Sequence, residues 1–263
     1  MTEEKMKRWI KEGRGKGEGA EYKPWIEIYD CPSIGKVRRI KGWKTNRVHH
    51  FLSSLESNYF YMLEWSDNVV DIREQFPLDL EITMEIAAIQ KIRYPLDPVS
   101  RYPNVQTTDF LITKEYEDSS KLLARTIKYE KDLDKRRVRE KFRIEKLYWQ
   151  ERKIDWGVVT EKSFSLPLLN NIKYVHKYKT LDGYLDLTRD EINIIKLTLS
   201  KVIETNSKPL TYSTHLVDRL FNLQSGSCLT LAKYLIANKI WIVEMGVEIW
   251  KQPHFKINSE KNL

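Results

Sequence analysis

Thr108-Asp-Phe-Leu-Ile-Thr113 and Leu122-Leu-Ala-Arg-Thr-Ile-Lys-Tyr129 are two short apolar runs rich in β-branched residues, separated by a polar stretch from Lys114 to Lys121. They read as two strands joined by a hairpin connection. Side chains alternate along a strand, so Thr126 and Lys128 leave one face while Ile127 points into the core. If the strands pair antiparallel, Asp109 approaches that same face from the neighbouring ladder position. A carboxylate and an ammonium group then converge at the end of a sheet. Such a pair suits phosphodiester hydrolysis. Asp109 can hold a hard magnesium ion, while Lys128 positions or deprotonates the attacking water and offsets the charge that builds on phosphorus. The Ile127 carbonyl offers one more oxygen, and water plus a second carboxylate would complete an octahedral shell.

Working outward, Leu55, Tyr59, Met62 and Leu63 recur at helical spacing between Ser53 and Trp65, which predicts an amphipathic helix. Glu56, on its first turn, is the candidate second carboxylate. Ser53-Ser-Leu-Glu56 equally matches a capping box, in which Glu56 serves only a backbone N–H. Asp109 has an ordinary reading as well, as a solvated residue at a strand start, so spacing alone leaves both carboxylates open between catalysis and structure. Residues 69–78 read as an extended segment ended by Pro77. Leu133 to Arg152 reads as a long charged helix with a partial stripe of Val138, Phe142, Leu147 and Trp149, and Ile154 to Thr160 as a further strand. Helix, strands, helix, strand is the order of a mixed α/β core.

Past Lys162 the pattern turns helical. Thr188-Arg-Asp-Glu191 has capping-box form and opens a helix to about Ile203; Leu210–Leu223 and Ser227–Asn238 supply two more. Ile240–Val243 and Val247–Trp250 then flank a turn containing Gly246, with Trp241 and Trp250 expected in the core. Three helices plus a β-hairpin is a winged-helix plan. The expected division is residues 1–165 as a catalytic domain and residues 166–263 as a smaller second domain, with the junction between Ser163 and about Asp186.

Bulk properties exclude several classes. Lysine and arginine number 45 against 37 aspartate and glutamate, a net charge of +8 that favours polyanionic partners without locating the charge. Cys31 and Cys228 stand too far apart for a zinc knuckle or a disulfide framework, which fits a reducing cytoplasm. No signal peptide or membrane span is apparent, so no membrane partner is expected. The segment Glu12-Gly-Arg-Gly-Lys-Gly-Glu-Gly19 reads as a flexible arm or loop, and no Gly-Lys-Ser/Thr closes it into a phosphate-binding loop.

Longer strings carry a resemblance: Ile10-Lys-Glu-Gly-Arg-Gly-Lys-Gly17, Tyr22-Lys-Pro-Trp25, Lys44-Thr-Asn-Arg-Val-His-His50, Ser54-Leu-Glu56, Leu63-Glu-Trp65, Val70-Asp-Ile-Arg-Glu-Gln-Phe-Pro-Leu78, Thr108-Asp-Phe-Leu111, Thr126-Ile-Lys128 and Lys146-Leu-Tyr-Trp-Gln150. Together they resemble TnsA, the endonuclease subunit of heteromeric bacterial transposases. The resemblance implies a restriction-endonuclease-like N-terminal domain with Glu56, Asp109 and Lys128 at the catalytic positions, and a bacterial, cytoplasmic protein. The family pattern has glutamine two residues before the lysine, where this chain has Thr126. The resemblance further implies Mg2+, with Mn2+ as a substitute, and cutting of the 5′-ended strand at double-stranded transposon ends. It implies two partners, a TnsB-like transposase that handles the other strand and a TnsC-like ATP-using regulator, with the C-terminal winged helix contacting them.

Lys44, Arg47, His49 and His50 precede the Glu56 helix as a basic cluster that could steer a phosphate backbone, against the plainer reading of a solvated loop. Two competing functions stay open at this point. One is a stand-alone restriction or repair endonuclease, which would cut without partners. The other is a DNA or protein adaptor with a degenerate metal site.

Overall fold

The computed structural model describes residues 1–30 and 36–261; Cys31 lies outside them. Met1–Ser163 and Phe164–Leu263 form two compact units.

The first unit opens with α1 (Glu3–Lys11), started by the Thr2 hydroxyl, which accepts from Lys5 N–H. The glycine segment after it is a docked loop rather than a free arm. Gly15 takes φ +76° and its N–H donates to Lys23 O at 2.6 Å. A Cβ there would sit 2.2 Å from Pro77 Cγ, so the proline ring packed on this left-handed turn requires glycine. A two-stranded ribbon follows, β1 (Arg38–Lys41) antiparallel to β2 (Val48–Phe51), for which no strand was expected. Next come α2 (Ser54–Trp65), β3 (Val69–Pro77), α3 (Leu80–Ile89), β4 (Thr107–Tyr116), β5 (Ser119–Ile127), α4 (Arg136–Glu151) and β6 (Asp155–Val159). The central sheet has the order β3-β4-β5-β6, antiparallel across the first two pairs and parallel across β5 and β6. This is the mixed sheet expected of a restriction-endonuclease-like core.

The alternation of β4 explains its two coverings. Phe110 and Ile112 face α2, where Tyr59 meets Phe110 edge to face at 5.4 Å and Phe51 lies 6.0 Å from it. Leu111 and its partner Ala124 face the other way, into a cluster with Ile86 and Ala87 of α3 and Ile144, Tyr148 and Trp149 of α4. Asp109 stands directly before this pair in the register, opposite Thr126, and therefore on the α4 side at the end of the sheet.

The second unit contains α5 (Leu166–His176), α6 (Arg189–Asn206), α7 (Leu210–Leu220), α8 (Ser227–Ala237) and a ribbon of β7 (Trp241–Val243) with β8 (Ile257–Glu260). Two expectations are corrected. The stretch taken as a junction holds α5, with Pro167 in its first turn and Leu169, Ile172 and Val175 buried at helical spacing. The second arm of the hairpin is not Val247–Trp250. Asn171 Nδ2 donates to Met245 O and Val247 O, its Oδ1 accepts from Ile249 N–H, and Gln252 Nε2 also donates to Val247 O. Those backbone groups are thereby withdrawn from any ladder, the chain turns at Ile249–Lys251, and Ile257–Glu260 pairs with β7 instead. Trp241 is buried as expected, but Trp250 is 43% exposed and leans on Tyr174. Cys228 is a buried free thiol. Among the described residues no helix is long and apolar enough to cross a membrane.

Candidate active site

Glu56, Asp109, Thr126, Ile127 and Lys128 line one pocket of about 330 Å³, together with Glu145. Each reaches it by a separate piece of local chemistry. Ser53 caps α2 by accepting from Glu56 N–H at 3.1 Å, and Glu56 Oε2 turns back to accept from Leu52 N–H at 2.9 Å. This is a capping arrangement displaced by one residue. It uses one lone pair of a carboxylate that has about four, so capping and a ligand role are compatible. Asp109 Oδ2 accepts from Ile127 N–H at 2.6 Å and its Oδ1 from Gln75 Nε2 at 3.3 Å. Lys128 lies one residue past β5, where its own N–H continues the parallel pairing by donating to Val159 O at 3.0 Å.

Two carboxyl groups and an ammonium group thus meet at the mouth of the sheet. Burial raises both carboxyl pKa values, and the charge of Asp109 raises Glu56 further; hydrogen bonds from Ile127 N–H and Gln75 and the nearby Lys128 only partly offset this for Asp109. Two acids that resist ionising together are a site short of positive charge. All the donors are oxygens, as a hard divalent cation requires. Among the described residues no three His, Cys, Asp or Glu form a cage. The residues present fit a hard divalent cation, which the carboxylates of Glu56 and Asp109 and the Ile127 carbonyl would hold.

Two contributors were missed in the sequence. Glu145, buried on α4, receives hydrogen bonds at Oε1 from the hydroxyls of Thr108 (2.7 Å) and Thr126. Those hydroxyls accept in turn from the indole N–H groups of Trp149 (2.7 Å) and Trp156 (3.1 Å), so both protons are directed at Glu145. Its carboxyl is pushed up to about 7, by burial first and by the charge of Asp109. A signal existed: Glu145 continues the Val138, Phe142, Trp149 stripe at spacings of three and four, a carboxylate on an apolar face. Gln75 is the other, buried on β3 at φ +48°, a left-handed conformation that costs a non-glycine residue free energy and that aims its amide at Asp109. No sequence pattern announces it.

The expected phosphate-steering cluster is not assembled here. His49 is 0% and Arg47 is 9% exposed, and both bind the buried Glu74 of β3: Arg47 Nη1 reaches Oε1 at 2.8 Å and His49 Nδ1 reaches Oε2 at 2.8 Å. His50 gives its backbone N–H to the same carboxylate at 3.1 Å, and the N–H of Lys44 approaches Glu64 at 3.4 Å. A buried carboxylate demands such partners, and answering it takes Arg47 and His49 away from the surface.

A model of the TnsA-like endonuclease N terminal region matches residues 66–161, and one of the TnsA endonuclease C terminal region matches residues 165–245. The Transposon Tn7 transposition protein TnsA of Escherichia coli is 34% identical over 238 residues, covering 90% of this chain and 85% of that protein. The chain belongs to the TnsA endonuclease family. Asp109, Thr126, Lys128 and Glu145 fall inside the N-terminal match and Glu56 just before it. Membership of this family supports a nuclease activity and suggests a divalent metal cofactor.

Proposed function

We propose that this TnsA-family chain is a Mg2+-dependent endonuclease that cuts the 5′-ended strand of duplex DNA at transposon ends, with Mn2+ able to substitute. In this reading it acts with a TnsB-like transposase and a TnsC-like ATP-dependent regulator. The observation that carries it is the convergence of Glu56, Asp109 and Lys128 on one pocket in a chain that shares most of its length with a Tn7 transposition protein. When bound, the cation supplies charge neutralisation at phosphorus and acidifies water. Asp109, held by Ile127 N–H and Gln75, and Glu56, held by Leu52 N–H, provide the acidic oxygens. Lys128 orients the attacking water and offsets the charge developing on the phosphate. Thr126 acts through its hydroxyl on Glu145 and so positions α4 against β5. The second unit, helices followed by a β-ribbon, is read as a winged-helix module that contacts the partners or DNA.

The test is a cleavage assay on end-bearing DNA with magnesium, with and without TnsB-like and TnsC-like partners. Glu56→Ala, Asp109→Ala and Lys128→Ala are each expected to abolish 5′-strand nicking while the other strand is still processed. If Asp109→Ala leaves both cation affinity and nicking unchanged, the assignment is wrong. Full activity without partners would make the protein a stand-alone nuclease.

A further inference from the structure

Beside the acidic pocket lies a larger open cleft of about 610 Å³ that shares Pro95, Asn104 and Lys141 with it, all within the first unit. Arg93, Arg101, Arg136, Arg137 and Lys141 line this cleft against one carboxylate, Glu140. That carboxylate is already shared, since Arg136 Nε and Arg137 Nη1 both reach it at 2.9 Å. The excess positive charge is built in rather than incidental. Arg136 and Arg137 open α4, whose first turn carries no acid and whose N-cap, Lys135, makes no side-chain capping bond, its ammonium pairing with Asp132 instead. Cations are disfavoured at a helix N-terminus, where the dipole is positive. A sequence that places them there breaks a local rule, and such breaks mark function more often than accident.

The opposite wall is rigid. Leu96 bridges to Pro103 and Asn104 N–H donates to Pro95 O at 3.0 Å. Asp97, at the turn, accepts from Val99 N–H (3.1 Å) and Ser100 N–H (2.9 Å) and binds the Met1 amine. Arg101 stands in this loop at φ +60°, and the Arg93 carbonyl fixes Arg137 Nη1 at 2.6 Å. Lys141 completes the line between the two pockets, close enough to feel the charges of Arg137 on one side and Lys128 on the other. A wall rich in cations that adjoins the acidic pocket through Lys141 has the form of a backbone track, with charge placed for phosphates.

We propose that this cleft holds the sugar-phosphate backbone of duplex DNA next to the cut site, a role from which burial on Glu74 withdraws Arg47 and His49; the proposal rests on the nuclease reading of the pocket. A labelled duplex is titrated with the full chain at several salt concentrations, without divalent cation. Arg93→Glu with Arg101→Glu is expected to weaken binding at least about tenfold and to lower the slope of log affinity against log salt by about two, one for each phosphate left without its arginine. Arg93→Lys with Arg101→Lys keeps the charge and should retain binding, which separates a missing charge from a damaged fold. The same reversal at Lys114 and Lys121, paired at the far end of the β4–β5 hairpin, should change the slope little. Equal affinity and slope for the Glu variant and wild type overturns the track, and so does a wild type that retains no duplex at low salt. Asp109→Asn separates the two readings: it should bind as wild type and not cut. A wild type that binds through these arginines but never cuts, with any divalent cation or with partners, would sink the nuclease reading and leave the track standing.

Discussion

Replacing Glu145 by glutamine should stabilise the protein at neutral pH and do nothing at low pH. Glutamine keeps the shape and an oxygen that accepts from Thr108 and Thr126, but it has no proton to lose. In the native protein the Glu145 carboxyl titrates near 7, against 4.5 when exposed. The folded state therefore binds more protons than the unfolded state between those values, and the stability of the wild type falls as pH rises through that window. At 1.36 kcal/mol for each pH unit, the full loss is about 3 kcal/mol. Below about pH 4.5 wild type and Glu145→Gln should unfold alike; at pH 8 the variant should be more stable by up to about 3 kcal/mol, or roughly 6–12 °C in midpoint for a unit of this size. Urea unfolding at pH 4.5 and 8, followed by tryptophan emission, reads the difference directly. A gap that does not change with pH would show that the carboxyl is not held neutral by burial, and a variant less stable at pH 8 would show that Glu145 needs its charge.

Glu56 and Asp109 both have raised pKa values, so a bound cation must displace protons. Cation affinity should climb by up to about tenfold per pH unit for each proton released and level off once both are ionised; calorimetric titration in buffers of different ionisation heat counts the protons, and a pH-independent affinity would contradict the shared charge deficit. Burial alone would raise Glu74, yet His49 and Arg47 hold it below the usual carboxylate range, so its stabilising effect is present at neutral pH and is lost only in acid. Arg47→Met should cost about 3 kcal/mol or more at pH 7 by leaving a buried charge half answered, with a deficit that shrinks as Glu74 protonates. Gly15→Ala meets Pro77 at a left-handed position and should cost roughly 1–3 kcal/mol in thermal unfolding.

Period-two alternation was sufficient to put Thr126 and Lys128 on one face and Asp109 opposite, because strand geometry is local and the hairpin is short. Glu56 was reachable for the same reason: a capping serine three residues before it fixes where α2 begins. The basic cluster misled because its meaning depends on a residue 27 positions from Arg47. Nothing in Lys44-Thr-Asn-Arg-Val-His-His50 indicates that Glu74 lies beneath it, and a cation near DNA-processing chemistry looks the same in sequence whether it faces solvent or a buried acid. Val247–Trp250 failed in a similar way. Its alternation is real, but Asn171, about 76 residues earlier, takes the backbone groups a ladder would need. Gln75 was out of reach, since its value lies in a backbone angle that no alternation encodes.

Thr126 stands where the resemblance implies a glutamine, and its surroundings suit the shorter side chain. A hydroxyl has one proton, and here that proton goes to Glu145 while the oxygen accepts from Trp156. A glutamine in its place would bring a longer side chain with two donors to a position only 7% exposed, where Glu145 would keep only the Thr108 hydroxyl. Threonine and Glu145 make a matched pair: the short hydroxyl anchors α4 to the end of β5, and α4 in turn brings Lys141 and Glu145 to the pocket that Asp109 and Lys128 enter from the sheet. In the proposed reading the strand's own contribution to a cation would come from the Ile127 carbonyl, which depends on backbone position and not on the side chain at 126. That position is fixed twice, by the N–H of Ile127 on Asp109 and by the parallel pairing of Lys128 with Val159. In that reading a threonine at 126 would leave the proposed site with its oxygens in place.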